Sequence, residues 1–157
     1  MTGHYRVLIP TLAPARAGKL LKVAASFTSA PESRGTLLGL IEVPAGQALT
    51  PPPQETYRTL LAQTTRIATK ATNPLTPLVR IAHVAAQGIR EAALETGSNL
   101  LLLESGTRDG GLWTNALEDL LYDPPCDVAL LRVDAAAPPI TSILLAVRGG
   151  PNAELAV

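Results

Sequence analysis

Cysteine is all but missing from this chain. Cys126 stands alone among 157 residues, which excludes an internal disulfide and a cysteine-based metal site. A reducing, cytoplasmic setting is the expectation that follows. Aromatic residues are almost as scarce: three tyrosines, one tryptophan and one phenylalanine. The core must therefore be built from small and branched aliphatics, which suits helices lying on a Val/Ile/Leu-rich sheet. Neither charge sign dominates, because Lys plus Arg and Asp plus Glu each number 13. No global field favours nucleic acid or an anionic membrane surface. No run approaches the ~18 consecutive apolar residues of a membrane span. Residues Met1 to Ile9 carry His4 and Arg6 and lack the apolar stretch of a signal peptide.

What the chain does have is alternation. Short β-rich runs take turns with longer Ala/Leu-rich stretches. Tyr5 to Pro10 reads as a buried strand ending at a proline, and Ala13 to Ser29 as a helix with Leu20, Leu21, Ala24 and Phe27 at helical spacing. Thr36 to Val43 reads as a second strand. Ala45 to Pro53 is too rich in Gly and Pro for a helix to persist. Gln54 to about Ala71 reads as the second helix, Leu78 to Ala82 as the third strand, and Ala85 to Thr96 as a helix ended by Gly97. Leu100 to Leu103, Leu112 to Tyr122 and Asp127 to Val133 complete a strand, helix and strand.

Strands alternating with helices predict an α/β fold with a parallel sheet. The expectation is an open five-stranded sheet, order 3-2-1-4-5, flanked by four helices. Strand one lies near the centre because Val7-Leu8-Ile9 is apolar on both faces. In such sheets ligands gather at the topological switch beside the carboxyl ends of the strands.

Beyond strand five the pattern begins again. Asp134 to Pro139 is an Ala/Pro linker, and Ile140 to Val147 reads as another strand. Val7 to Thr11 aligns with Ile143 to Val147 at a constant offset that also sets Ala17 on Ala153. The predicted organisation is a domain over residues 1–133, a linker over 134–139, and the truncated start of a second repeat over 140–157.

Four passages resemble the universal stress protein family. They are RVLIPT (Arg6 to Thr11), VRIAHVAAQGIREAALETGSNLLLLES (Val79 to Ser105), LEDLLYDPPCDVALLRV (Leu117 to Val133) and ILLAVRGGPNAELA (Ile143 to Ala156). The Pro125-Cys126 pair before strand five is similar to a recurrent family feature. Arg148-Gly149-Gly150-Pro151-Asn152-Ala153-Glu154 resembles the strand-one turn of tandem stress-protein domains at the cytoplasmic C-termini of secondary transporters. Amino-acid permeases and cation/proton antiporters are examples.

The resemblance implies where a nucleotide would sit. Family members that bind ATP carry a Gly-x-x-Gly-x9-Gly-Ser/Thr loop after strand four, whose backbone N–H groups hold phosphate at a helix N-terminus. They also carry an Asp after strand one. In this chain Glu104 takes the first glycine position and Thr107 the second. Thr114-Asn115 falls on the closing pair, the stretch between is about three residues short, and Leu12 replaces the Asp. A carboxylate facing phosphate costs binding energy. Side chains at Thr107 and Thr114 hinder close backbone approach, and Leu12 cannot accept a ribose hydrogen bond. The candidate cleft comprises Thr11, Leu12, Val43, Glu104, Gly106, Thr107, Gly110, Gly111, Thr114 and Asn115, with His83 at its rim. Gly106, Arg108, Gly110 and Gly111 could instead form a different anion site.

No catalytic set is legible. His4 and His83 have no nucleophile near them in sequence, and Ser105-Gly106 lacks the Gly-x-Ser-x-Gly pattern. Cys126 reads as a small buried hydrophobe, and Glu118-Asp119 as a solvated face. The first expectation is a non-catalytic regulatory or interaction domain, the cytoplasmic part of a transporter, with no cofactor and no metal. The alternative is an ATP- or AMP-binding stress-response protein, and a small α/β hydrolase is a weaker third. The expected partner is a second copy or a tandem domain, with strand five and residues 140–147 in the contact, and no nucleic acid.

Overall fold

The computed structural model describes residues 4–11, 13–14, 17–50, 54–104 and 112–132. In chain order they form β1 (Arg6–Thr11), α1 (Gly18–Phe27), β2 (Arg34–Glu42), α2 (Gln54–Lys70) and β3 (Thr76–Ala82). They continue with α3 (Ala85–Thr96), β4 (Leu100–Glu104), α4 (Leu112–Tyr122) and β5 (Asp127–Leu131). All pairings are parallel, in the order β3-β2-β1-β4-β5. The α/β architecture expected from the alternation is the one observed. The linker and second-repeat assignments over 134–157 lie outside the described residues.

Period-two alternation along the strands builds two cores, one on each face of the sheet. Leu8, Leu38, Leu40, Leu101 and Leu103 face α3 and α4. Val7, Ile9, Leu37, Leu100 and Leu102 face the side of α1, with Ala68 of α2. A third cluster joins Ile41 and Val43 to Leu60 at the carboxyl end of β2. Leu8, Ile9, Leu101, Leu102 and Leu103 have no exposed surface, which is why these runs read as continuous apolar stretches rather than alternating ones.

Several element ends differ from the sequence reading. The first helix starts at Gly18, not Ala13, because Pro14 closes a tight turn that takes the N–H of Ala17 at 3.1 Å. Its Ala-rich sequence carries no capping side chain to mark that start. β3 begins at Thr76 and contains Pro77, which an edge strand tolerates because one row of its N–H groups has no neighbour. β1 continues through Pro10 to Thr11.

The start of β1 is clamped by Asn99. Its Oδ1 accepts from the Arg6 N–H at 2.8 Å, its Nδ2 donates to the His4 carbonyl at 2.9 Å, and its own N–H donates to the Arg6 carbonyl at 3.0 Å. The other end of the α3–β4 connection is a Schellman motif. Gly97 sits at φ 59° and donates to the Leu94 carbonyl, while Ser98 donates to that of Ala93. Gly97→Ala should cost ~1–2 kcal/mol, the penalty of a Cβ in left-handed backbone. Urea unfolding of the two proteins measures it, and equal midpoints would contradict the assignment. Arg90 of α3 ties down α4 by donating to the carbonyls of Asp119 (2.6 Å) and Asp123 (3.0 Å). A cation among the last carbonyls of a helix is favourable.

Candidate nucleotide cleft at the switch point

The strand order reverses between β1 and β4, so the crevice of this sheet opens at their carboxyl ends. The structure gives that opening a cause. Both polar groups of the Arg6 backbone point to Asn99 on the β4 side. By alternation, Leu8 and Pro10 turn their polar groups the same way. Pro10 has no N–H to give there. The ladder between the two strands accordingly stops after Val7↔Leu100 and Leu8↔Leu101, whereas β1 stays paired with β2 as far as Thr11↔Gly39.

Carrying the β1–β4 register forward sets Thr11 beside Glu104, both on the α1 side of the sheet. Thr11 is nearly buried, and its hydroxyl accepts the N–H of Ala13 at 3.1 Å. Glu104 ends β4 half-buried. One strand over, Val43 is buried and its carbonyl lies 3.1 Å from Nδ1 of His83. A carbonyl can only accept, so in this bond Nδ1 carries the proton and donates it to Val43. The expected strand order already set Val43 and His83 at the ends of neighbouring strands, but strand order does not say which side-chain atom meets which carbonyl, so this bond was missed.

The structure thus brings Thr11, Val43, His83 and Glu104 to one end of the sheet. Asn115 lies exposed on α4. Leu12, Gly106, Thr107, Gly110 and Gly111 fall outside the described residues, as do Arg108 and the side chain of Thr114. A cavity of about 430 Å³ lies against β2 and the first turns of α2, bounded by Leu40, Ile41, Leu60, Glu55, Thr59 and Gln63. None of the candidate cleft residues lines it.

The Thr11 hydroxyl and the Val43 carbonyl each make one hydrogen bond within the chain and keep the capacity for another. One feature fits a nucleotide poorly. The position from which a glycine loop would cradle phosphate carries the acidic side chain of Glu104 instead. Among the described residues no three His, Cys, Asp or Glu side chains gather as metal ligands. No helix among them is long and apolar enough to cross a membrane.

Cys126 is half-buried, not fully buried as its sequence context suggested, and packs against the α3–α4 core. Burial raises its thiol pKa above the ordinary value, and the neighbouring Asp127 adds to the rise. The thiolate is the reactive form. Alkylation at neutral pH should therefore run slower than for free cysteine and keep accelerating at pH values where free cysteine has levelled off. A rate equal to or above that of free cysteine at pH 7 would contradict this.

No protein-family model matches the sequence, and no curated protein matches it. Solved structures do match. The universal stress protein of Archaeoglobus fulgidus in complex with dAMP superposes with a TM-score of 0.58 at 14% identity, over 83% of this chain and 98% of that one. A universal stress protein in complex with cAMP gives 0.59 at 11%, over 85% of this chain and 100% of the other. The universal stress protein UspA of Lactobacillus plantarum gives 0.57 at 16%, over 83% and 100%. At such identities the likeness establishes a shared fold.

Proposed function

We propose that this chain is a non-catalytic regulatory or interaction domain of universal stress protein type whose cleft has lost the ability to hold a nucleotide. The observation that carries this reading is Glu104, at the carboxyl end of β4 in line with Thr11. That is where a phosphate loop would leave the sheet. A carboxylate there repels phosphate.

The finer assignment, to the cytoplasmic part of a transporter, rests on the likeness of Arg148 to Glu154 to tandem transporter-linked domains. The chain then acts by contact, passing the state of a partner through its helix faces and sheet edges.

The second reading is an ATP- or AMP-binding stress-response protein. It is favoured by the dAMP and cAMP complexes of the structural neighbours. A thermal-shift series with ATP, ADP, AMP and cAMP separates the two. A ligand present at ~100 times its dissociation constant adds ~2.7 kcal/mol of stability. Our reading expects no shift with any of the four at millimolar concentration. A saturable rise with one of them would favour the alternative.

A further inference from the structure

The even balance of acidic and basic residues over the chain hides a segregation across the sheet. α1 and α2 cover one face of it, α3 and α4 the other. α1 and α2 carry Lys19, Lys22, Arg58, Arg66 and Lys70 against a single acid, Glu55. Lys19 is half-buried and the other basic residues are exposed. Among the described residues none of them makes an ion pair. α3 and α4 carry Glu91, Glu95, Glu118 and Asp119 against Arg90 alone. Glu91 and Glu95 are met by Arg80 of β3. Half of the acidic charge on that side is thus answered within the molecule, and none of the basic charge on the other. The spacing aims the basic residues outward. Lys19 and Lys22 stand three positions apart, and Arg58, Arg66 and Lys70 eight and four apart, which keeps each set on one side of its helix. The opposite sides, through Leu20, Leu21 and Ala24 and through Leu60, Thr64 and Ala68, are buried.

We propose that the outer surface of α1 and α2 docks on an anionic lipid bilayer. Distance lets that surface act alone. A helix is ~10–12 Å across, so the outer surfaces of the two helix layers lie more than ~20 Å apart. The Debye length at physiological salt is ~8 Å, so the acids on the far side are screened from anything touching the near one. Clusters of ~4–8 basic side chains are the usual size of a site for acidic phospholipids. Leu61 stands among them, 37% exposed, three residues on from Arg58. It is an apolar side chain placed to enter the headgroup region. Nucleic acid is the other extended polyanion, but neither helix exposes an aromatic side chain for a base to stack on. Both helices also lie flat on the sheet, where a groove admits a protruding element. The acidic side of a second copy fits less well too, because stacking unlike faces builds an open chain that does not close. The proposal rests on the two helices alone. It stands whether or not the cleft holds a nucleotide and whether or not the chain belongs to a transporter.

Co-sedimentation of the full chain with vesicles tests this. The chain should pellet with phosphatidylcholine vesicles containing ~30% phosphatidylserine at ~0.1 M salt, and come off at ~1 M, where the Debye length falls to ~3 Å. It should stay in solution with phosphatidylcholine alone. Arg58→Glu combined with Arg66→Glu, both at exposed positions, should keep the circular dichroism spectrum and weaken binding ~10-fold or more. Glu118→Lys reverses an exposed charge on the far face and should leave the affinity unchanged. A gain from Glu118→Lys as large as the loss from the double substitution would overturn the proposal, because net charge and not the face would then decide. Equal binding to the two kinds of vesicle, or binding to neither, would overturn it as well. Binding to a DNA duplex without binding to vesicles would assign the surface to nucleic acid. A salt-sensitive rise in mass without vesicle binding would assign it to a second copy.

Discussion

Leu101→Ala is expected to lower the unfolding free energy by ~2–5 kcal/mol, the range for emptying a buried leucine site. Leu101 has no exposed surface, lies on the central part of the sheet, and meets Leu8 of β1 on one side and Val128 of β5 on the other. Its face is covered by α3 and α4, including Ile89 and Leu120. These neighbours belong to four different elements, so none can collapse into the vacancy without disturbing the others. For a chain of this size the loss corresponds to a fall in melting temperature of ~2–4 °C per kcal/mol. Chemical denaturation with two spectroscopic probes measures it. A change under 1 kcal/mol would mean that the α3–α4 face of the sheet is not packed as described.

The second large effect is expected at Gly39, where α2 crosses β2. A Cβ there would lie 2.7 Å from Oγ1 of Thr64 and 3.0 Å from Cγ of Leu60. Both partners sit in the middle of α2 and are buried, so they cannot swing aside into solvent. Gly39→Ala should cost ~1–3 kcal/mol, as overpacking does. The mechanism is separable from a general loss of strand quality. In a Thr64→Ala background the shorter of the two contacts is gone, so the same substitution should cost less, with a coupling of ~0.5–3 kcal/mol. Strict additivity would show that the clash is not the cause. Thr64 makes a further point. Its hydroxyl is buried without a hydrogen-bond partner among the described residues, so Thr64→Val should not destabilise the chain, unlike most exchanges of a buried threonine.

Much of this fold was legible because its punctuation is strong. Gly97 ends α3 and Pro124-Pro125 follow α4, and both helices run between the residues expected of them. The apolar runs at β1 and β4 marked strands covered on both faces, and the central place of β1 followed from that; the similar run at β5 belongs to an edge strand with no buried residue, because an apolar run does not tell a central strand from an edge one. Where the punctuation was weak the reading slipped. An alanine-rich stretch continues a helical pattern backwards through Pro14 without cost in the pattern, although the chain there is already turning. Pro10 reads in the sequence as a strand stop, and the third strand reads as beginning after Pro77, at Leu78. Each is accommodated inside a strand, one where a ladder ends and one on an open edge.

The cleft was legible in part only. The family resemblance pointed to Glu104 and the expected end of strand one to Thr11, and the structure ends β4 and β1 at these two residues. The bond of His83 to the Val43 carbonyl, the Asn99 clamp on β1 and the Arg90 hold on α4 all join residues far apart in sequence. No local period reports such pairs. The role of Pro10 in parting β1 from β4 needed the direction of the Arg6 backbone groups, which only three-dimensional pairing reveals.

The central claim is that this cleft does not hold a nucleotide. Isothermal calorimetry of the full chain with ATP, repeated with AMP, tests it most directly, because heat is read whether or not stability changes. The account predicts no saturable heat, or a dissociation constant well above ~10 μM. A constant below ~10 μM, about −6.8 kcal/mol or better, would contradict it and return Thr11, Val43 and Glu104 to the lining of a working site.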